Sequence, residues 1–135
     1  MEERKLKYRR KIHFITEKME TLTSLPPDFP MDAVLYRIQT SLESAMDLAA
    51  MVVKDLGESV SDDYHNLEVL MKKKLISESL GKRLKSYNGL RNAIVHKYNS
   101  FEEKEALRSL SELKKDLYEF LEVIEHVIKK ISFAD

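Results

Sequence analysis

A short string late in the chain gathers side chains that can bind an anion and move a proton. Residues 90–98 read Leu-Arg-Asn-Ala-Ile-Val-His-Lys-Tyr, which places a guanidinium, an amide, an imidazole and a phenol close together. The Arg91 guanidinium stays charged and offers a planar fork of donors to oxyanions. An imidazole ordinarily titrates near neutrality, which makes histidine at position 96 a candidate general acid or base. Asn92 can orient either group.

The same residues have ordinary structural interpretations. Tyr98 could pack in a core, Arg91 could form a surface ion pair, and Asn92 could cap a helix. His96 could be a cation at a helix C-terminus, where the helix dipole favours positive charge. From residue types alone, both interpretations stay open.

The spacing of Arg91 and His96 limits how they can cooperate. On a regular helix, five positions separate two residues by about 140° around the axis and about 7.5 Å along it. The two side chains then do not share a face. Either the helix loosens before His96, or the working pairs form between two subunits. A two-fold interface along this helix would bring two arginines and two histidines into one cleft.

Apolar periodicity predicts that helices position these residues. Steps of three and four residues recur along the chain, and we find no strand-like alternation. The fold predicted from this pattern is all-α: an up-and-down bundle of four or five helices forming one domain over residues 1–135. The predicted helices run from Glu2 to about Leu22, from Pro30 to about Leu56, from Ser61-Asp62-Asp63 through Met71, from Glu78 to about Asn99, and from Glu102 to Ile131.

Individual positions sharpen this prediction. In the first helix we expect an inward apolar stripe of Leu6, Ile12, Ile15, Met19 and Leu22. Two prolines after Leu25 cannot continue that helix. Gly57 is placed to stop the second helix. In the third helix we expect Tyr64 to face inward.

Composition excludes several classes of site. The chain of 135 residues has no cysteine, which removes disulfides, thiolate metal ligands and cysteine nucleophiles. Glu122, Glu125 and His126 lack the repeated Glu-x-x-His pairs of a di-iron bundle, and no phosphate-cradling glycine loop occurs. We therefore expect no metal and no cofactor. No apolar run is long enough for a membrane span, so we expect a cytoplasmic protein with no membrane partner.

The formal net charge of zero hides a strongly basic segment. Residues 69–97 contain eight basic side chains against one acidic side chain, Glu78. Such a segment could bind a polyanion such as RNA, although lysines also commonly solvate helix surfaces or pair with acids elsewhere. The candidate contacts to an RNA backbone are Lys72, Lys73, Lys74, Lys82, Arg83 and Lys85.

The string at residues 91–98 resembles the motif of the HEPN superfamily, and specifically of the HepT-like toxins. That motif is Arg-Asn, then Val-His, then any residue and Tyr, with the spacing found here. The preceding helix is similar to the second helix of the family, which carries Arg-x-Gln, a Glu and Asp-Leu-Ala. The corresponding residues here are Arg37, Gln39, Glu43, Asp47, Leu48 and Ala49. The resemblance covers about residues 32–98.

The resemblance implies a metal-independent endoribonuclease toxin that acts on tRNA or mRNA as a homodimer. Arg91 and His96 would be catalytic, with Asn92 in support. It also implies a nucleotidyltransferase antitoxin of the MntA kind, which adenylylates Tyr98. An alternative is a non-catalytic helical partner that binds and modulates a nucleotidyltransferase. A third possibility is a generic dimerisation bundle.

Overall fold

Five helices make up most of the residues that the structure describes. A computed structural model describes residues 2–22, 24–26, 28–96 and 109–131. These residues confirm the predicted all-α fold, and no strand occurs among them. The helices are α1 (Glu2–Leu22), α2 (Met31–Asp55), α3 (Asp63–Lys72), α4 (Glu78–His96) and α5 (Leu110–Lys130). The predicted end of the fourth helix and the predicted start of the fifth lie outside the described residues.

The central element is α2, which packs against each of the other four helices. Its sequence is apolar around much of its circumference, as expected of a helix enclosed by others. Side chains such as Ile38, Leu42 and Leu48 are fully buried. Burying one large aliphatic side chain contributes about 1.5–3 kcal/mol, so α2 supplies much of the stability of the bundle.

Ion pairs show how the long helices run. Arg4 of α1 pairs with Asp55 at 2.8 Å, and Lys11 pairs with Asp47 at 3.0 Å, so the start of α1 meets the end of α2. Arg9 near the start of α1 pairs with Glu125 near the end of α5 at 3.4 Å. Both α2 and α5 are therefore antiparallel to α1.

One buried cluster fastens α1 to α2. The Tyr8 hydroxyl donates a 2.6 Å hydrogen bond to Oδ2 of Asp55, and Arg4 Nε donates to the same oxygen at 2.8 Å. Tyr8 is completely buried. Burial, together with the hydrogen bond to Asp55, raises the pKa of the Tyr8 phenol above its usual value.

The same arrangement fastens α4 to α5. The Tyr87 hydroxyl donates to Oδ2 of Asp116 at 2.6 Å, and Arg83 Nε donates to that oxygen at 2.9 Å. In both clusters an arginine and a tyrosine four residues later on one helix share an aspartate of another helix. Positions i and i+4 lie on one helix face, so both donors reach a single carboxylate.

Two sequence expectations about individual side chains are wrong. Leu6 is 47% exposed, and Tyr8 takes the inward position of the α1 stripe in its place. The step from Tyr8 to Ile12 keeps the helical period, and Asp55 satisfies the tyrosine hydroxyl. Tyr64 on the short α3 is 43% exposed, while Leu67 and Leu70 make the inward contacts of that helix.

The Asp116 cluster is expected to matter for stability. Asp116→Ala leaves the buried Tyr87 hydroxyl without its acceptor and Arg83 without its closest carboxylate. We expect the free energy of unfolding to fall by about 3 kcal/mol. The matched control is Asp47→Ala, because Asp47 also pairs across helices but its side chain is 59% exposed. That change should cost less than about 1 kcal/mol. Urea denaturation followed by circular dichroism measures both, and equal losses would contradict the prediction.

Candidate active site on helix α4

The candidate catalytic residues lie in the last two turns of α4. This helix continues without interruption through His96, so the possibility that it loosens before His96 is wrong. On the regular helix, Arg91 and His96 therefore project in directions about 140° apart. Within one chain, they do not face a common point.

Arg91 is the more enclosed of the two residues. Its side chain is 24% exposed, and Nη2 lies 3.6 Å from Oδ2 of Asp63 on α3. Its Nε is buried and has no hydrogen-bond acceptor within the described part of the chain. A guanidinium has five N–H donors, and because the side chain is partly exposed, this single ion pair leaves donors on the Nη atoms for an anion. The surface ion pair that the sequence left open is therefore present, but it does not occupy all the N–H donors of Arg91.

The neighbouring positions on α4 differ in exposure. His96 lies exposed in the last turn of the helix, and Asn92 is half-buried. Val95, beside His96, is 40% exposed. Asn88, one turn before Asn92, is buried, and its Oδ1 has no donor among the described residues. Tyr98, the candidate modification site, lies outside the described residues.

The turn that carries Asp63 is held by side chains. Asp62 caps α3 by accepting a 2.8 Å hydrogen bond from the backbone N–H of His65. The Asn66 side chain accepts from Ser61 N at 3.0 Å and donates to Ser61 O at 3.2 Å. These contacts satisfy backbone groups at the start of α3, where a helix leaves donors unpaired. Asp63 is therefore presented on an ordered turn.

Most of the basic segment is paired with acids of the same chain. The pairs are Lys73 with Glu58 at 3.0 Å, Lys82 with Glu78 at 3.4 Å, Arg83 with Asp116 at 2.9 Å, and Lys85 with Glu68. The hydrogen bond from Lys85 lowers the pKa of Glu68 below its usual value. Lys72 and Lys74 are exposed at the end of α3 and just beyond it. The segment is thus less positive in the folded chain than its composition suggests.

The sequence alone did not identify Asp63 or Asn88 as neighbours of Arg91 in the candidate site. Asp63 was noted only as part of a helix start, since nothing in the sequence pairs it with a residue 28 positions later. Asn88 lies three residues before Arg91, and that spacing on a predicted helix was the one available signal.

Among the described residues, no group of three or more His, Asp or Glu side chains is placed to hold a metal ion. None of the helices described is both long and apolar enough to span a bilayer.

The fold and these residues can be compared with known proteins. In solved structures, the chain is similar to a tri-AMPylated HEPN toxin of Shewanella oneidensis in complex with an MNT antitoxin. That match has a TM-score of 0.80 at 21% identity and covers 88% of this chain and 96% of the other. A toxin–antitoxin complex with AMP-PNP matches with a TM-score of 0.79 at 21% identity, covering 87% and 96%. These likenesses show a shared helical fold.

Closer relatives are found by sequence. A protein of Archaeoglobus fulgidus named "Putative RNase" is 41% identical over 130 residues, covering 96% of this chain and 98% of its own length. A second protein of the same organism with the same name is 40% identical over 93% of this chain and 86% of its own. A family model described as Ribonuclease HepT-like matches residues 7–124. The chain therefore belongs to the HepT-like ribonuclease family.

Proposed function

We propose that this protein is a metal-independent endoribonuclease and the toxin of a toxin–antitoxin pair. Arg91 carries the proposal, because its guanidinium is enclosed and partly neutralised yet keeps donors for a phosphate. His96 supplies a proton-transfer group on the same helix, and Asn92 supports the pair. Membership of the HepT-like ribonuclease family supports the proposed reaction. The solved neighbours with antitoxin partners support the proposed setting.

The proposed reaction uses the RNA's own 2′-hydroxyl as nucleophile. A His96 imidazole accepts the hydroxyl proton while the 2′-oxygen forms a bond to phosphorus. The bond from phosphorus to the 5′-oxygen breaks, and an imidazolium donates a proton to that leaving oxygen. Arg91 stabilises the extra negative charge on the phosphorane oxygens. The products are a 2′,3′-cyclic phosphate and a 5′-hydroxyl.

A homodimer would solve the problem of the diverging side chains. Since α4 is regular through His96, Arg91 and His96 of one chain project in different directions. A two-fold contact along the end of α4 would bring both copies of each residue into one cleft. One histidine could then act as base and the other as acid. Exposed Val95 offers apolar surface beside His96 for such a contact.

The basic segment is proposed to contribute outer contacts to the RNA backbone. Among its six candidates, exposed Lys72 and Lys74 are the best placed, because the other four are engaged with carboxylates. Lys73, Lys82, Arg83 and Lys85 would have to exchange an internal partner for a phosphate. Their contribution should therefore be smaller and more dependent on salt.

Purified protein incubated with a total tRNA pool and EDTA is expected to cut RNA and leave 2′,3′-cyclic phosphate ends. Arg91→Ala and His96→Ala should each lower the rate by at least about 100-fold, because each removes charge stabilisation or proton transfer. Sequencing of the cut ends and initial rates measure these outcomes.

The matched controls are Arg10→Ala and His126→Ala, which remove exposed residues of the same types from α1 and α5. Both should cleave at the wild-type rate. A strict requirement for Mg²⁺ would contradict the mechanism. A folded protein that leaves RNA intact would instead favour a non-catalytic partner of a nucleotidyltransferase.

The protein is expected to sediment as a dimer at micromolar concentration. Val95→Glu should give a monomer with little RNase activity, because it places a charge in the proposed apolar contact. Val60→Glu changes an equally exposed valine before α3 and should remain dimeric and active. A wild-type monomer that cleaves RNA would refute the composite cleft.

Tyr98 is the proposed acceptor of adenosine monophosphate from an MntA-like antitoxin. It follows His96 by two residues. Each added AMP would place a phosphodiester charge and a nucleoside near Arg91 and His96. The anion would compete with the RNA phosphate for the arginine, and the nucleoside would fill the cleft. Neither effect requires the bundle to unfold.

Co-expression with the cognate nucleotidyltransferase is expected to add one or more AMP groups to Tyr98. Intact-mass analysis and peptide mapping should locate them, while circular dichroism shows unchanged helix content. Tyr98→Phe should abolish the added mass. Tyr64→Phe, which alters an exposed tyrosine on α3, should leave it unchanged. An unmodified wild-type toxin, or full neutralisation of Tyr98→Phe by the catalytic activity of the partner, would disprove the assignment.

A further inference from the structure

Arg91, the proposed catalytic arginine of α4, contacts α3 through Asp63. Nη2 of Arg91 lies 3.6 Å from Oδ2 of Asp63, and the two side chains are 24% and 30% exposed. This distance is that of an ion pair rather than of a tight hydrogen bond. Such a pair orients a guanidinium while leaving its donors free to bind another anion.

Contacts at the start of α3 hold Asp63 in a defined position. Asp63 is the first residue of the helix, directly after the capping residue Asp62. The positive end of the helix dipole favours a carboxylate there. The Asn66 side chain bonds both the N–H and the carbonyl of Ser61, which holds the turn before α3. His65 Nε2 lies 3.0 Å from the carbonyl oxygen of Ser59, a third contact within this turn.

Within the described part of the chain, Asp63 is the acid that pairs with Arg91. The Arg91 Nε is buried without an acceptor there. Asn88, three residues earlier on α4, has a buried Oδ1 that lacks a donor there. These two groups on nearby helix positions do not bond to each other, so Asn88 does not hold the guanidinium. Of the carboxylates on the described residues, Asp63 is therefore the one placed to orient Arg91.

We propose that Asp63 is a positioning residue for Arg91. Its carboxylate holds one corner of the guanidinium, so that the remaining N–H groups meet the RNA phosphate and the phosphorane formed from it. The kinetic consequences rest on the proposed RNase function. The orientation of Arg91 does not.

A purely structural role explains this pair less well. Both partners are partly exposed, and pairs of that kind contribute little to stability. Arg83 on the same helix shows what a structural arginine looks like here: its Nε donates at 2.9 Å to a carboxylate whose side chain is 6% exposed. The Arg91 pair is longer, and its carboxylate is more exposed to solvent than Asp116 is. Such a pair can hold the guanidinium before the RNA binds. It can then release N–H groups to the RNA phosphate.

The first test compares Asp63→Asn with Asp63→Glu. Asparagine keeps the size of the side chain but removes its charge, so we expect kcat for RNA cleavage to fall about tenfold while KM changes less than twofold. Glutamate restores the charge and should recover a large part of kcat. The control is Asp32→Asn, which removes an exposed acid from the first turn of α2 and should behave as wild type. All variants should keep the wild-type midpoint of unfolding within a few degrees.

A double-mutant cycle checks that Asp63 acts through Arg91. In an Arg91→Lys background the fork-shaped donor set is gone, so adding Asp63→Asn should change kcat less than twofold. An undiminished tenfold loss in that background would overturn the proposal. So would an Asp63→Asn enzyme with wild-type kcat.

A readout independent of activity is the side-chain Nε–H resonance of Arg91 in ¹⁵N-labelled protein. Asp63→Asn should shift this resonance and speed its exchange with water, while Asp32→Asn should not. If wild type cuts no RNA but the resonance responds, the proposed function fails and the positioning stands. If wild type cuts RNA and the resonance does not respond, the positioning fails and the function stands.

Discussion

The enclosure of α2 by the other four helices constrains the rest of the molecule. Because α2 buries a broad apolar face that includes Ile38, Leu42 and Leu48, each neighbouring helix turns apolar side chains toward it. Polar groups next to this core need partners. The chain meets that need twice in the same way, with one aspartate accepting from an arginine and a tyrosine four residues apart. These two clusters fasten the long helices in pairs.

The two halves of helix α4 make different kinds of contact with neighbouring helices. Its first half carries Arg83 and Tyr87, which bind the buried Asp116 and fix the helix against α5. Its second half carries Arg91, which meets a partly exposed carboxylate at a longer distance. A short bond to a buried carboxylate suits a contact that must not open, whereas a longer pair with an exposed carboxylate is more easily broken. The two arginines of α4 are therefore held in different ways.

The sequence was sufficient to predict what depends on local pattern. Apolar periodicity placed all five helices, and the helix stop at Gly57 agrees with its positive φ of 82°. The sequence was not sufficient where a residue distant in the chain determines whether a side chain is buried or paired. Tyr8 is buried instead of Leu6 because Asp55, on another helix, satisfies its hydroxyl. From sequence the basic segment could either bind RNA or pair with acids elsewhere, and in the fold carboxylates of the same chain engage four of its six candidate cations. The Asp63–Arg91 pair joins two helices in the same way, and only the fold brings them together.

Because the two halves of α4 are held differently, a modification near Arg91 would affect one half and not the other. One contact that stabilises the bundle is that of Asp116 with Tyr87, one helical turn before Arg91, and another is that of Asp55 with Arg4 and Tyr8 on α1. A charge added just beyond His96 would act on the loosely held arginine and leave those contacts intact. Breaking the Arg91–Asp63 pair would cost little, because an ion pair partly open to solvent contributes little compared with the stability of a folded domain. Such a charge would therefore act on Arg91 without requiring the bundle to unfold.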